Sequence, residues 1–230
     1  MRIVLFDIDG TLLRSGGIGR IAMEHALTNV FGSPGHAEYH YDGKTDRQIV
    51  RELMRHAGFT DDQIDAQMDE LLAAYVAALE LELASGQRNV LLLDGVADLL
   101  DELERQSQVV MGLLTGNIHQ GAKAKLSAAG IDPARFKVSA FGSDNELRPE
   151  LPAVAQRRAS ELLGVDVQGN KVIIIGDTPA DIQCGEAIGA RAIGVATGRY
   201  SVEQLAEYNP YAVFETLADT PVVLSSILNA

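Results

Sequence analysis

Short apolar runs and helical repeats alternate along much of this chain of 230 residues. Unbroken apolar runs are typical of strands buried on both faces of a parallel sheet. Apolar, strand-like runs occupy residues 3–6, 109–114, 137–141, 172–176 and 192–195. Helical spacing of apolar residues between them, as at 96–104, predicts an α/β fold with a parallel sheet flanked by helices.

A purely helical stretch interrupts this alternation after the first strand. From about Gly19 to Leu83, apolar residues recur at helical spacing, and no strand pattern is evident. Thr60-Asp61-Asp62-Gln63 fits a capping box that opens the longest of these helices. We therefore predict an α/β core formed by residues 1–15 and 88–230, and an inserted helical domain at 16–87. Glycine-containing linkers are expected near 13–19 and 84–92.

Candidate chemistry lies where three of the predicted strands end. Asp7 and Asp9 follow the first strand and lead into a glycine turn. Thr115-Gly116-Asn117 ends the 109–114 run, and Asp177 follows the 172–176 run. In open α/β sheets the carboxyl ends of the strands carry the chemistry. Each junction also has a plain structural interpretation, as an Asp-Gly turn or as a helix N-cap at Thr115 or Asp177.

Together these motifs resemble the haloacid dehalogenase-like hydrolase superfamily. The similarity is to its phosphatase branch with a small helical cap, which includes phosphoglycolate phosphatases, and it covers nearly the whole chain. The resemblance implies a Rossmann-like catalytic core at 1–15 and 88–230 with the cap at 16–87. It also implies Mg²⁺-dependent hydrolysis of a small phosphorylated metabolite.

Phosphoryl transfer requires an in-line nucleophile, a proton donor for the leaving oxygen and positive charge around the phosphoryl oxygens. Asp7 would attack phosphorus and form an aspartyl-phosphate, which splits one difficult step into two. Asp9 would protonate the leaving oxygen and then activate the water that hydrolyses the intermediate. Haloacid dehalogenases lack the second aspartate, so Asp9 favours phosphate chemistry over carbon-halogen chemistry.

The resemblance also implies a set of binding residues. The Asp7 side chain, the Asp9 backbone carbonyl and the Asp177 side chain would bind Mg²⁺, and Asp181 would orient Asp177 or a metal-bound water. Phosphate oxygens would be held by the Thr115 hydroxyl and by the amides of Gly116 and Asn117. Thr11 is expected to tie the loop together without contacting the substrate.

The chain departs from the family pattern where most relatives carry a lysine followed by proline. The equivalent segment contains Arg148-Pro149, and no lysine lies between Lys137 and Lys171. Arg148 is therefore the predicted catalytic cation, because arginine can bridge phosphate and carboxylate with its planar fork. Arg157 or Arg158 on the following helix could supply the charge instead, and Arg148 could be a solvated loop charge.

The composition of the chain limits which classes of binding partner are expected. The net charge of −13 disfavours a nucleic-acid polymer, since binding its backbone requires lysine and arginine patches. No apolar stretch is long enough to cross a bilayer, and Asp7 interrupts the N-terminal apolar run, so we expect no membrane partner and a cytoplasmic enzyme. The lone Cys184 excludes an intrachain disulfide. The oligomeric state is left open.

Several alternatives remain on the sequence alone. Sugar-phosphate mutases of similar architecture keep both aspartates, and a non-catalytic member could bind a phosphorylated ligand. The segment 42–46 could face the leaving group of the substrate, or it could be a simple turn in which Thr45 or Asp46 caps a helix. The apolar positions from Leu71 to Leu83 are interpreted as the core of the helical domain.

Overall fold

A six-stranded parallel sheet organises the chain, and the computed structural model describes all 230 residues. The strands along the chain are β1 (Arg2–Phe6), β2 (Leu13–Arg14), β3 (Leu91–Leu92), β4 (Val109–Thr115), β5 (Val138–Phe141), β6 (Val172–Gly176), β7 (Arg191–Val195) and β8 (Ala212–Phe214). The order across the main sheet is β5-β4-β1-β6-β7-β8, and every neighbouring pair is parallel. The α/β prediction is confirmed.

Nine α-helices accompany the sheet. They are α1 (Ile18–Phe31), α2 (Asp46–His56), α3 (Asp61–Ser85), α4 (Val96–Glu104), α5 (His119–Ala128), α6 (Leu151–Leu163), α7 (Pro179–Cys184), α8 (Val202–Ala206) and α9 (Thr220–Asn229). None of them combines the length and the apolar character that crossing a membrane would require.

Burial of β1 on both faces explains its unbroken apolar sequence. Val4 and Phe6 belong to one hydrophobic cluster with residues of α4 and α9. Ile3 and Leu5 belong to a second cluster with residues of α6. Because successive side chains of a strand point to opposite faces, a strand covered on both sides must be apolar throughout.

The helical stretch α1 to α3 follows β1, as its periodicity predicts. The three helices share a cluster of 15 buried residues, of which Ile118 alone comes from outside them. The capping box predicted at the start of α3 is confirmed, since Thr60 and Gln63 bond reciprocally. These helices therefore bury an apolar core that is largely their own.

Both predicted linkers contain a short strand that the sequence does not reveal. Leu13 pairs with Leu92, and Arg14 pairs with Leu91, in an antiparallel ribbon between β2 and β3. Strands of two residues are too short to show a hydrophobic period, and the three-residue β8 was not predicted for the same reason. The ribbon joins the two chain segments that enter and leave the helical stretch.

Candidate active site

A polar cleft lies where the carboxyl ends of the central strands face α1 to α3. Its volume is about 300 Å³. Asp7 directly follows β1, Thr115 ends β4 and Asp177 follows β6, and all three line the cleft. Adjacent parallel strands end at the same edge of the sheet, so residues far apart in sequence meet here.

Asp7 is buried beside a buried cation. Its Oδ1 lies 3.3 Å from an Nη of Arg148, and Arg148 also contacts Asp181. Burial raises the pKa of Asp7 to about 6, because desolvation outweighs the attraction of Arg148, and the charges of Asp181 and Asp9 add to the rise. The Nε of Arg148 is buried without a hydrogen-bond partner. That free donor points to an additional acceptor during function.

The three arginines considered for this position lie in different places. Arg148 is 4% exposed and contacts Asp7. Arg158 forms a two-point ion pair with Asp144, at 2.7 Å for both contacts, and donates to the Ser139 carbonyl. Arg157 is exposed on α6. The structure thus brings Arg148, and neither helix arginine, to Asp7.

The Asp9 carboxylate is held by three donors. It accepts hydrogen bonds from Ser15 at 3.1 Å, Asn117 at 2.9 Å and Lys125 at 2.7 Å. Burial on its own would raise the pKa of Asp9, but the Lys125 charge and these three hydrogen bonds together lower it below its usual value. Asp9 is therefore held in its ionised form.

Lys125 is a site residue that sequence reasoning did not single out. It lies on α5, and its ammonium bonds both Asp9 and the Asn117 carbonyl oxygen at 2.7 Å. The side chain is only 6% exposed. A signal was present, since Lys125 falls between Ala122 and Leu126 on the buried face of the helix. A lysine in that position needs a partner to stay buried.

The predicted phosphate loop is held by internal hydrogen bonds. Thr115 is fully buried and accepts from the Asn117 side chain at 2.8 Å. The Asn117 backbone amide, predicted to hold phosphate, donates here to the Thr115 hydroxyl at 3.3 Å. A side chain at Gly116 would place its Cβ 1.9 Å from the Lys44 carbonyl oxygen. Glycine is thus required where segment 42–46 crosses this loop.

Segment 42–46 caps a helix, as one of its two interpretations predicted, and it also lines the cleft. Thr45 caps α2 by accepting from the Gln48 amide at 3.1 Å, while Asp42 and Lys44 line the cleft. Asp46 bonds across to the phosphate loop, donating from its amide to the Gly116 carbonyl and accepting from the Ile118 amide, both at 2.8 Å. These contacts close the helical stretch over the strand ends.

The carboxylates at the bottom of the cleft fit a divalent cation. Oxygen atoms of Asp7, Asp177 and Asp181 all lie within 4.8 Å of one another. Burial and the charges of Asp181 and Asp7 raise the pKa of Asp177 well above its usual value, although Thr11 donates to it at 3.2 Å. Carboxylate oxygens whose negative charge is not fully compensated are suitable ligands for Mg²⁺.

Asp9, the third predicted ligand, and Asp181, the predicted orienting residue, are placed differently from Asp7 and Asp177. The Asp9 carboxylate is engaged by Asn117 and Lys125, which leaves its backbone carbonyl as its available ligand. Asp181 accepts from the Thr178 amide at 3.0 Å and from its hydroxyl at 2.7 Å, besides contacting Arg148. Asp181 is therefore placed to support neighbouring groups.

Comparisons with known proteins agree on one family. A family model described as a haloacid dehalogenase-like hydrolase matches residues 1–189. A phosphoglycolate phosphatase of Pseudomonas putida is 26% identical over 94% of this chain and 77% of its own length. The pyrophosphatase PpaX of Bacillus pumilus is 23% identical over 97% of this chain and 96% of its own. A hydrolase structure from Pseudomonas syringae superposes with a TM-score of 0.73 at 21% identity, covering 99% of both chains.

We predict that Asp7→Asn stabilises the metal-free protein at high pH. With a pKa of about 6 in the folded state and 3.8 as the usual value, folded Asp7 binds its proton more tightly than unfolded Asp7. Its stabilising contribution is present below pH 3.8 and is lost as the pH rises through 6, so stability falls across that window. At pH 8 the variant should gain about 2–3 kcal/mol.

Urea unfolding with a chelator at pH 8 and at pH 4 measures this difference. At pH 4 the gain should be much smaller, because folded wild-type Asp7 is then largely protonated. An equal gain at both pH values, or a loss at pH 8, would contradict the burial of an under-compensated carboxylate.

Proposed function

This chain belongs to the haloacid dehalogenase-like hydrolases, and from that premise we propose that it is a phosphomonoesterase that uses Asp7 as a covalent nucleophile. The observation that carries the proposal is the contact between the buried Asp7 carboxylate and the buried Arg148 guanidinium. A nucleophile beside a fixed cation is what transfer of an anionic phosphoryl group requires.

In the first step an Asp7 oxygen attacks phosphorus while the bond from phosphorus to the ester oxygen breaks. Arg148 neutralises charge on the phosphoryl oxygens, and its unpartnered Nε supplies a further donor. With its pKa at about 6, Asp7 is mostly ionised at neutral pH and can act as the nucleophile. The Thr115 hydroxyl and the Gly116 amide are proposed to bind the phosphoryl oxygens from the other side.

Asp9 is proposed to handle both proton transfers. It gives a proton to the departing alkoxide and then takes one from the water that hydrolyses the aspartyl-phosphate. The lowered pKa of Asp9, caused by Lys125 and by its hydrogen bonds, suits the second step, in which it acts as a base. For the first step Asp9 must take up a proton before the ester bond breaks.

Mg²⁺ is the proposed cofactor, held by the Asp7 and Asp177 carboxylates and the Asp9 backbone carbonyl. When bound, it would supply positive charge to the phosphoryl oxygens and to the crowded carboxylates. Asp181 is proposed to orient Asp177. The oxygen cluster of Asp7, Asp177 and Asp181 supports this assignment.

We propose that residues 16–87 form a cap over a catalytic core made of 1–15 and 88–230. The separate apolar cluster of α1 to α3 and the short ribbon at its two chain crossings support this division. A cleft of about 300 Å³ favours a small phosphorylated metabolite, and the similarity to a phosphoglycolate phosphatase favours a short phosphorylated acid.

We predict that Asp7→Asn abolishes release of inorganic phosphate from phosphomonoesters in the presence of Mg²⁺. It should retain less than about a tenth of the wild-type kcat, which corresponds to ~1.4 kcal/mol in the barrier. Asp98→Asn, an exposed change on α4, is the control and should keep full activity. Transfer of phosphate between hydroxyl groups without its release would instead identify a mutase.

We predict that Arg148→Ala lowers kcat/KM about 10²-fold, because it removes the fixed charge that faces the phosphoryl group. Arg148→Lys should recover part of the loss by restoring the charge without the planar fork. Arg157→Ala serves as the control, since Arg157 is exposed on α6. Steady-state kinetics that show a silent Arg148→Ala would contradict the role of this arginine.

A further inference from the structure

Donors without partners gather on one wall of the cleft, beside the Asp9 carboxylate. They come from three elements, namely the start of α1, the middle of α3 and the buried face of α5. The Gly19 position marks where they meet. A Cβ built on Gly19 would lie 3.1 Å from the Lys125 ammonium and 3.6 Å from the Tyr75 hydroxyl.

The Tyr75 hydroxyl is unusual for a core residue of α3. The side chain is 1% exposed and belongs to the apolar cluster of the helical stretch, yet it also lines the cleft. Its surroundings raise the pKa through burial and through the charges of Asp46 and Asp9, and no hydrogen bond to the hydroxyl contributes. The hydroxyl opens into the cleft and has no hydrogen-bond partner within the protein, so it can donate to a group that enters the cleft.

The neighbouring donors also have N–H groups without a hydrogen-bond partner. Lys125 uses two of its three N–H groups on Asp9 and Asn117, which leaves one free. The Gly19 and Arg20 amides make no backbone hydrogen bond, and the N-cap residue of α1, Gly17, provides no side-chain partner. Gly17, Gly19 and Arg20 all line the cleft, so the positive end of the α1 dipole opens into it.

We propose that this donor cluster, formed by Tyr75, Lys125 and the Gly19 and Arg20 amides, binds a carboxylate on the leaving group of the substrate. The inference rests on the proposed phosphatase function and specifies its substrate class as short phosphorylated carboxylic acids. Lys125 bonds both Asp9 and the proposed carboxylate, so the carboxylate lies close to the oxygen that Asp9 protonates. That spacing fits an acid whose ester oxygen is on the adjacent carbon.

The rest of the cleft disfavours a nucleoside leaving group. Of the two tyrosines that line the cleft, Tyr41 has the guanidinium of Arg20 over its ring at 4.8 Å. This contact occupies one of the ring faces on which a base would stack. The carboxylates of Asp9 and Asp46 also face Lys125, so they repel any anion bound there, and a doubly charged leaving group such as phosphate would meet more repulsion than a single carboxylate.

A matched pair of phosphoesters tests the inference. The substrates are 2-phosphoglycolate and 2-hydroxyethyl phosphate, which differ in having a carboxylate or a neutral hydroxymethyl group. Tyr75→Phe should lower kcat/KM for phosphoglycolate about tenfold, the expected loss of a hydrogen bond to a charged group. It should lower kcat/KM for hydroxyethyl phosphate by a smaller factor, because a hydrogen bond to a neutral hydroxyl is weaker than one to a carboxylate.

Tyr39→Phe is the control for this variant, because the Tyr39 hydroxyl bonds Glu52 and Lys44 away from the donor cluster. It should preserve the ratio between the two substrates. Equal losses on both substrates with Tyr75→Phe, or no loss on either, would overturn the carboxylate assignment while leaving the phosphatase proposal intact.

Binding to the Asp7→Asn variant separates this inference from the proposed function. Calorimetry in Mg²⁺ should show tighter binding of phosphoglycolate than of hydroxyethyl phosphate, and adding Tyr75→Phe should reduce that preference about tenfold. If wild-type protein hydrolyses neither ester, the phosphatase proposal fails. The binding preference still tests whether the donor cluster binds a carboxylate. Equal affinities for the two ligands would overturn it.

Discussion

Compensation of buried negative charge is the constraint on which this site depends. Asp7, Asp177 and Asp181 lie within 4.8 Å of one another at the carboxyl edge of the sheet, and they are nearly inaccessible to water. Burying carboxylates together raises their pKa values and destabilises the folded chain. Arg148, itself buried, offsets part of that charge, and the uncompensated remainder is the reason for proposing a bound cation here.

A second buried cation, Lys125, gives the two aspartates proposed as catalytic different pKa shifts. Arg148 contacts Asp7 but leaves its pKa raised, since burial dominates there. Lys125 bonds Asp9 directly and holds its pKa low. Two carboxyl groups only two residues apart thus acquire opposite shifts because they face different neighbours. Such divergence is how one short loop can provide a nucleophile and a separate acid-base group.

The helical stretch completes the site as well as covering it. Asp46 bonds to the loop at Gly116 and Ile118, so the closed arrangement depends on backbone groups of the phosphate loop. From the opposite wall, Tyr75 reaches the cleft from within an apolar core. Contacts that hold the helices over the strand ends and contacts proposed to select the leaving group therefore come from the same few helices. Movement of this stretch would alter substrate selection and solvent exclusion together.

Local sequence determined what depends on neighbours along the chain. The parallel strands, the helical insertion and the capping box at Thr60 follow from apolar periodicity and cap chemistry, and the sheet order then places Asp7 and Asp177 at one edge. The tertiary structure alone decided which distant groups meet: Arg148 and neither helix arginine at Asp7, and Lys125 at Asp9. Those contacts join residues more than 100 positions apart. A lysine on the buried face of a helix signals that it needs a partner, but the local sequence does not say which residue that partner is.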